Sequence, residues 1–383
     1  MKSNWKAIKL NDAVVINPKE TIPRDAIRDC ITMDSVIPWT RKVETIKKEH
    51  YKGGAKFRNG DTLMARITPC LENGKCCFVS GLEDEIGFGS TEFLVFRAKN
   101  GITIPKFVYY LVRCPFFFNN AIKSMTGTSG RQRVQTDVLR DMEVLIPTVK
   151  EQAKIVSILD GLETKIELNN AINKNLMKQL QTLFCQFFLS NLESSSWSET
   201  TLDKMLLLRN EKVKAGNLPE YPYLPIDLIP TKNLGLTEVR PNQEAKSSLQ
   251  LFRKNDILIG AMRVYFHRVS IAPFDGITRN TCFVLQPVTP KYLYYLLMVC
   301  FQDETIDFAS RTSKGSTMPY AVWEDGLGKM PIKIPPDNLL SEFNAIAKPI
   351  VETIEGSFSR NHVLTNLRDE LLPKLLSGEI ELS

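Results

Sequence analysis

The sequence predicts a mixed α/β protein written twice, with two similar globular domains separated by two long antiparallel helices in a pseudo-two-fold arrangement. Three observations predict it. Ordered matches recur along the 383 residues, each half mixes short β-like and helical runs, and each half ends in a long amphipathic segment.

The repeat comes first, because missing one misreads a whole fold. Trp5-Lys-Ala-Ile-Lys-Leu10 returns as Trp197-Ser-Glu-Thr-Thr-Leu202, and Phe57-Arg-Asn-Gly-Asp61 as Phe252-Arg-Lys-Asn-Asp256. Ala65-Arg66 is matched to Ala261-Met-Arg263, and Tyr109-Tyr110-Leu111 to Tyr294-Tyr295-Leu296. Thr128-Ser129-Gly130 has a looser counterpart in Gly315-Ser316-Thr317, and Ile146-Pro147 returns as Ile334-Pro335. The offset stays between 185 and 197, in one order throughout. A period that long is a duplicated domain.

Within each half, runs rich in β-branched and aromatic residues are bounded by Gly, Asn, Asp or Pro, the pattern of short strands. They cover Asp61–Ile67, Cys76–Ser80 and Phe93–Arg97, then Asp256–Ala261, Val269–Ala272 and Cys282–Gln286. Helices are expected at Pro105–Val112, Phe116–Met125 and Pro290–Phe301, the first and third opening on a proline suited to a helix start.

After Pro147 the character changes. Residues 150–192 hold no proline and one glycine. Ile155, Ile158, Leu162, Ile166, Ile172, Leu176, Leu180, Leu183 and Phe187 mark one apolar stripe, interrupted by Lys165 and Asn169. The second copy carries Phe343, Ile346, Ile350, Ile354, Phe358, Leu364, Leu367, Leu371 and Leu375, with Pro349, Gly356 and Pro373 predicting a kink or break. The resulting division is 1–149, 150–192, 193–337 and 338–383. An apolar stripe must be buried, either against the other long helix or against its own domain, and ~40 residues, roughly 60 Å, favour the former. Antiparallel pairing would let one chain imitate a dimer, matching the dyad of duplex DNA with two non-identical heads.

Composition excludes more than it selects. Net charge is +6 with a pI near 8.8, short of an obvious nucleic-acid binder. The eight cysteines form no C-x-x-C pair and there are three histidines, poor material for zinc or a disulfide framework and suited to a reducing cytoplasm. The N-terminus lacks a signal-peptide core, and the longest apolar stretch, Tyr292–Phe301, is too short to span a bilayer. A soluble cytoplasmic protein is expected. Catalytic motifs are fragments. Ile334-Pro335-Pro336-Asp337 lacks the flanking groups of an amino-methyltransferase loop, and Ile86-Gly87-Phe88-Gly89 lacks the third glycine of a cofactor loop. There is no Walker A run, and Glu163-Thr-Lys165 and Glu244-Ala-Lys246 mimic only part of a nuclease motif.

Four segments carry a resemblance: Gly60-Asp61 through Arg66-Ile-Thr68-Pro69 to Glu72-Asn73-Gly74-Lys75; Thr126-Gly127-Thr-Ser129-Gly130-Arg131-Gln-Arg133-Val134; Ile146-Pro147 with Glu151-Gln152; and Leu371-Leu372-Pro373-Lys374 through Gly378-Glu379-Ile380. Together, across essentially the whole chain, they resemble the specificity subunits of type I restriction-modification systems. The resemblance implies two target-recognition domains joined by helical conserved regions that set their spacing. It also implies a non-catalytic chain that binds an asymmetric, bipartite site on double-stranded DNA. Two methylation subunits would dock on the helical regions and bring S-adenosylmethionine. A restriction subunit would supply ATP-driven translocation and cleavage, leaving no cofactor, metal or membrane for this chain. The second domain lacks the Thr-Pro…Glu-Asn-Gly-Lys segment and has Arg263-Val-Tyr-Phe-His267-Arg268 instead. An orphan DNA-binding scaffold, or a protein-interaction module, is the alternative.

The expected DNA contacts are Arg66, Lys75, Thr128, Ser129, Arg131 and Arg133 in the first domain, and Arg263, Arg268, Arg279 and Lys314 in the second. Arginine can bridge guanine O6 and N7, while lysine and backbone N–H groups hold phosphates. The Gly127–Arg133 loop joins small residues to two guanidiniums, which serve either a groove or the protein's own packing. His267 is expected as a packed surface residue beside Tyr265 and Phe266, without a ligand role.

Overall fold

The computed structural model describes residues 5–190, 197–246, 248–315 and 317–382. Residues 191 and 192 of the first expected helix, the opening residues 193–196 of the second expected domain, and Ser316 of the repeat lie outside the described residues. The chain forms two compact units, Met1–Thr164 with Thr365–Ser383, and Lys165–Leu364. Both dividing points fall inside long helices, Val149–Phe184 and Asp337–Ser377, so each unit holds a globular part and one half of each helix.

In the first unit, Val14–Ile16, Phe93–Ala98, Thr62–Ala65 and Cys76–Phe78 make a four-stranded antiparallel sheet, with Thr62 opposite both Phe96 and Phe78. A second sheet runs Lys47–His50, Ile27–Ile31, Gly87–Gly89, Ala55–Phe57, its inner pair parallel. The glycine-flanked Phe88 is thus part of a buried strand. Helices Pro105–Arg113 and Pro115–Lys123, both starting on proline, cover the first sheet and bury Phe107, Tyr109, Tyr110, Phe117 and Phe118.

The second unit repeats the plan. Its antiparallel sheet is Leu206–Leu208, Cys282–Pro287, Ile257–Gly260, Val269–Ile271. In the other, Tyr223–Leu224 runs parallel to Gly276–Arg279, which pairs antiparallel with Leu249–Phe252. The extra edge differs. The first unit adds Lys47–His50 beside the parallel strand, and the second adds Lys212–Val213 on the opposite side. The six expected strands and three expected helices all occur, with the third helix opening as a 3₁₀ turn, Pro290–Tyr292, before Leu293–Cys300. A further helix, Asp303–Arg311, escaped the periodicity reading.

The first long helix starts on a capping box. Thr148 Oγ1 accepts from the Glu151 N–H, and Glu151 Oε2 accepts from the Thr148 N–H. Gln152, fully buried, bonds the carbonyls of Ile102 and Pro147 and accepts from the Ile104 N–H. The Pro147…Glu151-Gln152 segment is therefore a helix start stitched to its domain.

Two expectations about the helices need correction. The second helix runs unbroken through Pro349, Gly356 and Pro373. The carbonyls that each proline leaves without a donor belong to Ala345 and Asp369, both exposed residues, so water can satisfy them. The buried face of the first helix is also rotated from the apolar stripe. Of that stripe Ile155 and Leu180 are buried but Ile158 and Ile172 are exposed, while Leu159, Glu163, Asn169, Asn173, Met177 and Phe184 are buried. Polar side chains take the inner face because partners await them.

In the first unit Glu163 accepts from Arg113 at 2.5 Å and Arg368 at 3.1 Å, all three nearly fully buried. In the second, Asn169 Nδ2 donates to Asn361 at 2.7 Å and Asn173 Nδ2 donates to Ser357 Oγ. These contacts, with Phe184 on Phe343, make the halves antiparallel there. At the offset of 188 that links Pro147 to Pro335, Asn169 corresponds to Ser357 and Asn173 to Asn361, so the two bonds are copies of each other. Among the described residues, no helix is long and apolar enough to cross a membrane.

Candidate nucleic-acid interface

Each unit builds its candidate site where the chain leaves the central strand of its antiparallel sheet. In the first unit, the Arg66 N–H donates to the Glu92 carbonyl, and the Arg66 carbonyl accepts from Val134. Thr68 donates to Gln132, and Arg133 bridges to Ile67 and Thr126. The 66–75 loop and the 126–133 hairpin are thereby sewn into one tip. Gly127, at φ +130° with its absent Cβ 3.1 Å from the Arg131 carbonyl, lets the hairpin close.

The second unit uses the same stitches. Ala261 donates to Thr281 and accepts from Ala321, Arg263 donates to Pro319, and Tyr320 bridges to Met262 and Lys314. These bonds revise the repeat. Arg66 corresponds to Ala261 and Arg263 to Thr68, so the two arginines are not counterparts. Gly127 corresponds to Gly315 rather than Thr128 to Gly315, and Arg133 to Tyr320.

Lys75 and Arg268, by contrast, are true counterparts, since their carbonyls accept from Ala65 and Gly260. Each turns its cation inward. Lys75 Nζ donates to the Met33 carbonyl at 2.8 Å, and Arg268 Nη1 to the carbonyls of Ile226, Asp227 and Ile229 at 2.5 to 3.0 Å. Both ligate the loop that follows the parallel strand of their unit.

The other expected contacts divide cleanly. Arg133 makes a forked ion pair with Glu92, at 2.6 to 3.1 Å, and this guanidinium holds the Glu92 carboxyl below the ordinary carboxylate range. Arg66 has a buried Nε with no hydrogen-bond partner among the described residues. Thr128, Ser129 and Arg131 are exposed at the hairpin turn. Arg263, Arg279 and Lys314 are exposed, and no side-chain partner occurs for them or for Arg131 among the described residues.

His267 departs from expectation. It is buried, with Nδ1 3.0 Å from Asp303 and Nε2 3.0 Å from the Phe301 carbonyl. Burial lowers its pKa below the usual histidine value against the pull of Asp303. It anchors the tip from beneath because the 3₁₀ turn Val264–Phe266 is bracketed by left-handed backbone at Arg263 and His267, which turns the ring inward.

Gly74 explains part of the Glu-Asn-Gly-Lys segment. It has φ +81°, and a Cβ there would lie 2.2 Å from the Trp39 ring. The nuclease-like Glu163 is consumed by its two arginines, and Glu244 lies in a short 3₁₀ turn. Among the described residues no cluster of His, Cys, Asp or Glu could hold a metal ion.

Comparison with known proteins finds a family model that matches the first part of the chain. Residues 2–178 match the model described as type I restriction modification DNA specificity domain. The chain is 36% identical over 175 residues to the EcoAI type I specificity subunit of Escherichia coli, covering 43% of this chain and 30% of that one. It is 25% identical over 314 residues to the MjaIX specificity subunit of Methanocaldococcus jannaschii, covering 74% and 70%. The match thus spans under a third of the E. coli relative. The fold is that of the type I restriction-modification S subunit from M. genitalium, at TM-score 0.56, 14% identity and coverage of 100% and 98%.

Proposed function

We propose, from the premise that residues 2–178 belong to the type I restriction-modification DNA specificity family, that this chain is the non-catalytic DNA-reading subunit of such a system. Its two units bind an asymmetric, bipartite site on duplex DNA. The helical segments seat two methylation subunits, which bring S-adenosylmethionine, and restriction subunits join through the complex with ATP.

One observation carries the reading. Two tips with the same backbone stitching present different unpaired cations, Arg131 on one, and Arg263, Arg279 and Lys314 on the other. A shared scaffold with different reading groups suits a split target whose halves differ. The carbonyl-ligating Lys75 and Arg268 would shape the tips, while Arg66, Thr128, Ser129 and Arg131 are the first unit's best-placed contacts. Arg133, tied to Glu92, would add its charge at the rim.

Selection of duplexes from a randomised library by the full chain with its methylation subunit tests this. A two-part motif with unread bases between is expected, with binding that falls steeply with salt as phosphate contacts release counterions. Methyl transfer by the chain alone, measured with labelled S-adenosylmethionine, would contradict the non-catalytic assignment.

A further inference from the structure

The second unit's tip exposes four large apolar side chains on two loops: Tyr265, Phe266, Met318 and Tyr320, each 42 to 54% accessible. The stitches between Arg263 and Pro319, and between Met262 and Tyr320, bring their two loops together. The Tyr265 and Phe266 rings lie 4.9 Å apart at 57°, and the Arg268 guanidinium stands 5.7 Å from the Phe266 ring. Exposed Arg263 and Lys314, with no side-chain partner among the described residues, flank them on the same two loops.

This pair is held stiffly. Left-handed backbone at Arg263 (φ 49°) and His267 (φ 52°) brackets the turn, a conformation that L side chains avoid and that surrounding structure must impose. Here the buried His267 imposes it through Asp303 and Phe301. Two flat apolar faces are fixed outward within a basic rim. That suits a polyanion with π-faces to offer. The first unit's corresponding loop instead exposes Pro69, Glu72 and Asn73.

We propose that Tyr265 and Phe266 form an aromatic wedge that stacks on an opened base step of duplex DNA, making the second unit's readout partly one of stacking and deformation. This rests on the DNA-reading function above and adds residues and a mode to it. Aromatic side chains inserted at a base step unstack and kink duplexes, and the cost depends on the step's sequence. The arginines and lysine around the wedge would hold the flanking phosphates.

The test compares the full chain with its Tyr265→Ala/Phe266→Ala variant in selections from a randomised duplex library. Both side chains are exposed, so an unchanged unfolding midpoint is expected and confirms that the variant is folded. Wild type should enrich a two-part motif, and the variant should keep one part and lose the other. On the wild-type-selected duplex, affinity should fall by about a hundredfold, the scale of two lost stacking contacts, with the salt slope unchanged. Arg263→Ala, by contrast, should lower that slope by about one. Phe266→Trp should retain binding that Phe266→Leu loses. A variant that enriches the same two-part motif at the same affinity overturns the wedge and leaves the DNA-reading function standing. Wild-type protein that enriches no sequence overturns both, and unchanged DNA binding with loss of a protein partner assigns the patch to that partner instead.

Discussion

The seam between the long helices is ionic in the first unit and aromatic in the second. Glu163 sits between Arg113 and Arg368 in one, whereas Phe184, Phe188, Tyr295 and Phe343 pack edge to face in the other. At the 188-residue offset Glu163 corresponds to Val351 and Arg368 to Leu180, both buried and apolar. A single architecture therefore tolerates opposite chemistries at one position, provided each is complete. The same lesson holds at the sheet turns. Asp61 and Asp256 each accept a forked arginine, but Arg97 supplies it from the inner strand Phe93–Ala98 and Arg209 from just beyond the edge strand. Duplication preserved the carboxylate and let the guanidinium move.

The sharpest way to break that comparison is Glu163→Ala. It removes the carboxylate shared by two buried guanidiniums, leaving Arg113 with the Tyr109 hydroxyl and Arg368 with Asp369, and should cost about 3–5 kcal/mol, read by chemical denaturation. Val351→Ala should cost less, ~1–2 kcal/mol, since it removes only methyl groups. Equal costs would mean that the ionic seam is not closed as described. Gly74→Ala should cost about 2 kcal/mol, because the new Cβ meets the Trp39 ring from a left-handed backbone. Gly161→Ala, on an open helix surface, should be neutral or stabilising.

Lys75→Met and Arg268→Met sharpen the comparison at the tips. If both cations ligate carbonyls, each change should lower stability by ~1–2 kcal/mol while the salt dependence of DNA binding stays the same. A slope that falls by about one would make them phosphate contacts instead.

A further effect is one of pH, and it belongs to the second unit. Burial pushes the Glu355 carboxyl up to about 7, and its Oε1 has no hydrogen-bond partner among the described residues. A raised carboxyl pKa means that the folded state holds a proton the unfolded state has released. Stability is therefore full below the ordinary glutamate value and declines between there and about pH 7. Glu355→Gln should flatten this decline, seen as a larger gain in unfolding midpoint at pH 8 than at pH 4.5. A gain independent of pH would show that Glu355 does not carry it.

Strong local signals were legible in the sequence. Prolines at 105 and 290, the runs around Phe93 and Cys282, and the ordered repeat all predicted elements that exist. What stayed hidden depends on partners far along the chain. Nothing in the periodicity of 150–192 shows that Glu163 and Asn173 face inward, because Arg368 and Ser357 lie roughly two hundred residues away. Arg66 and Arg263 look equivalent by spacing, and only the backbone bonds to Val134 and Pro319 separate them. The basic candidates divided for the same reason. A lysine bound for a carbonyl and an arginine left free read alike as letters. Tyr265 and Phe266 did carry a signal, two rings between arginines in a loop where the first half is polar, but adjacent rings in a sequence read equally as core.

Two unlike tips that read two unlike half-sites, as proposed, would leave a two-part imprint on the host genome. Methylome sequencing of the native cells with and without this chain tests it most directly. The expected result is a modified motif in two different parts separated by unspecified bases, vanishing when the chain is removed. An uninterrupted or palindromic motif, or a methylome indifferent to the chain, would contradict it.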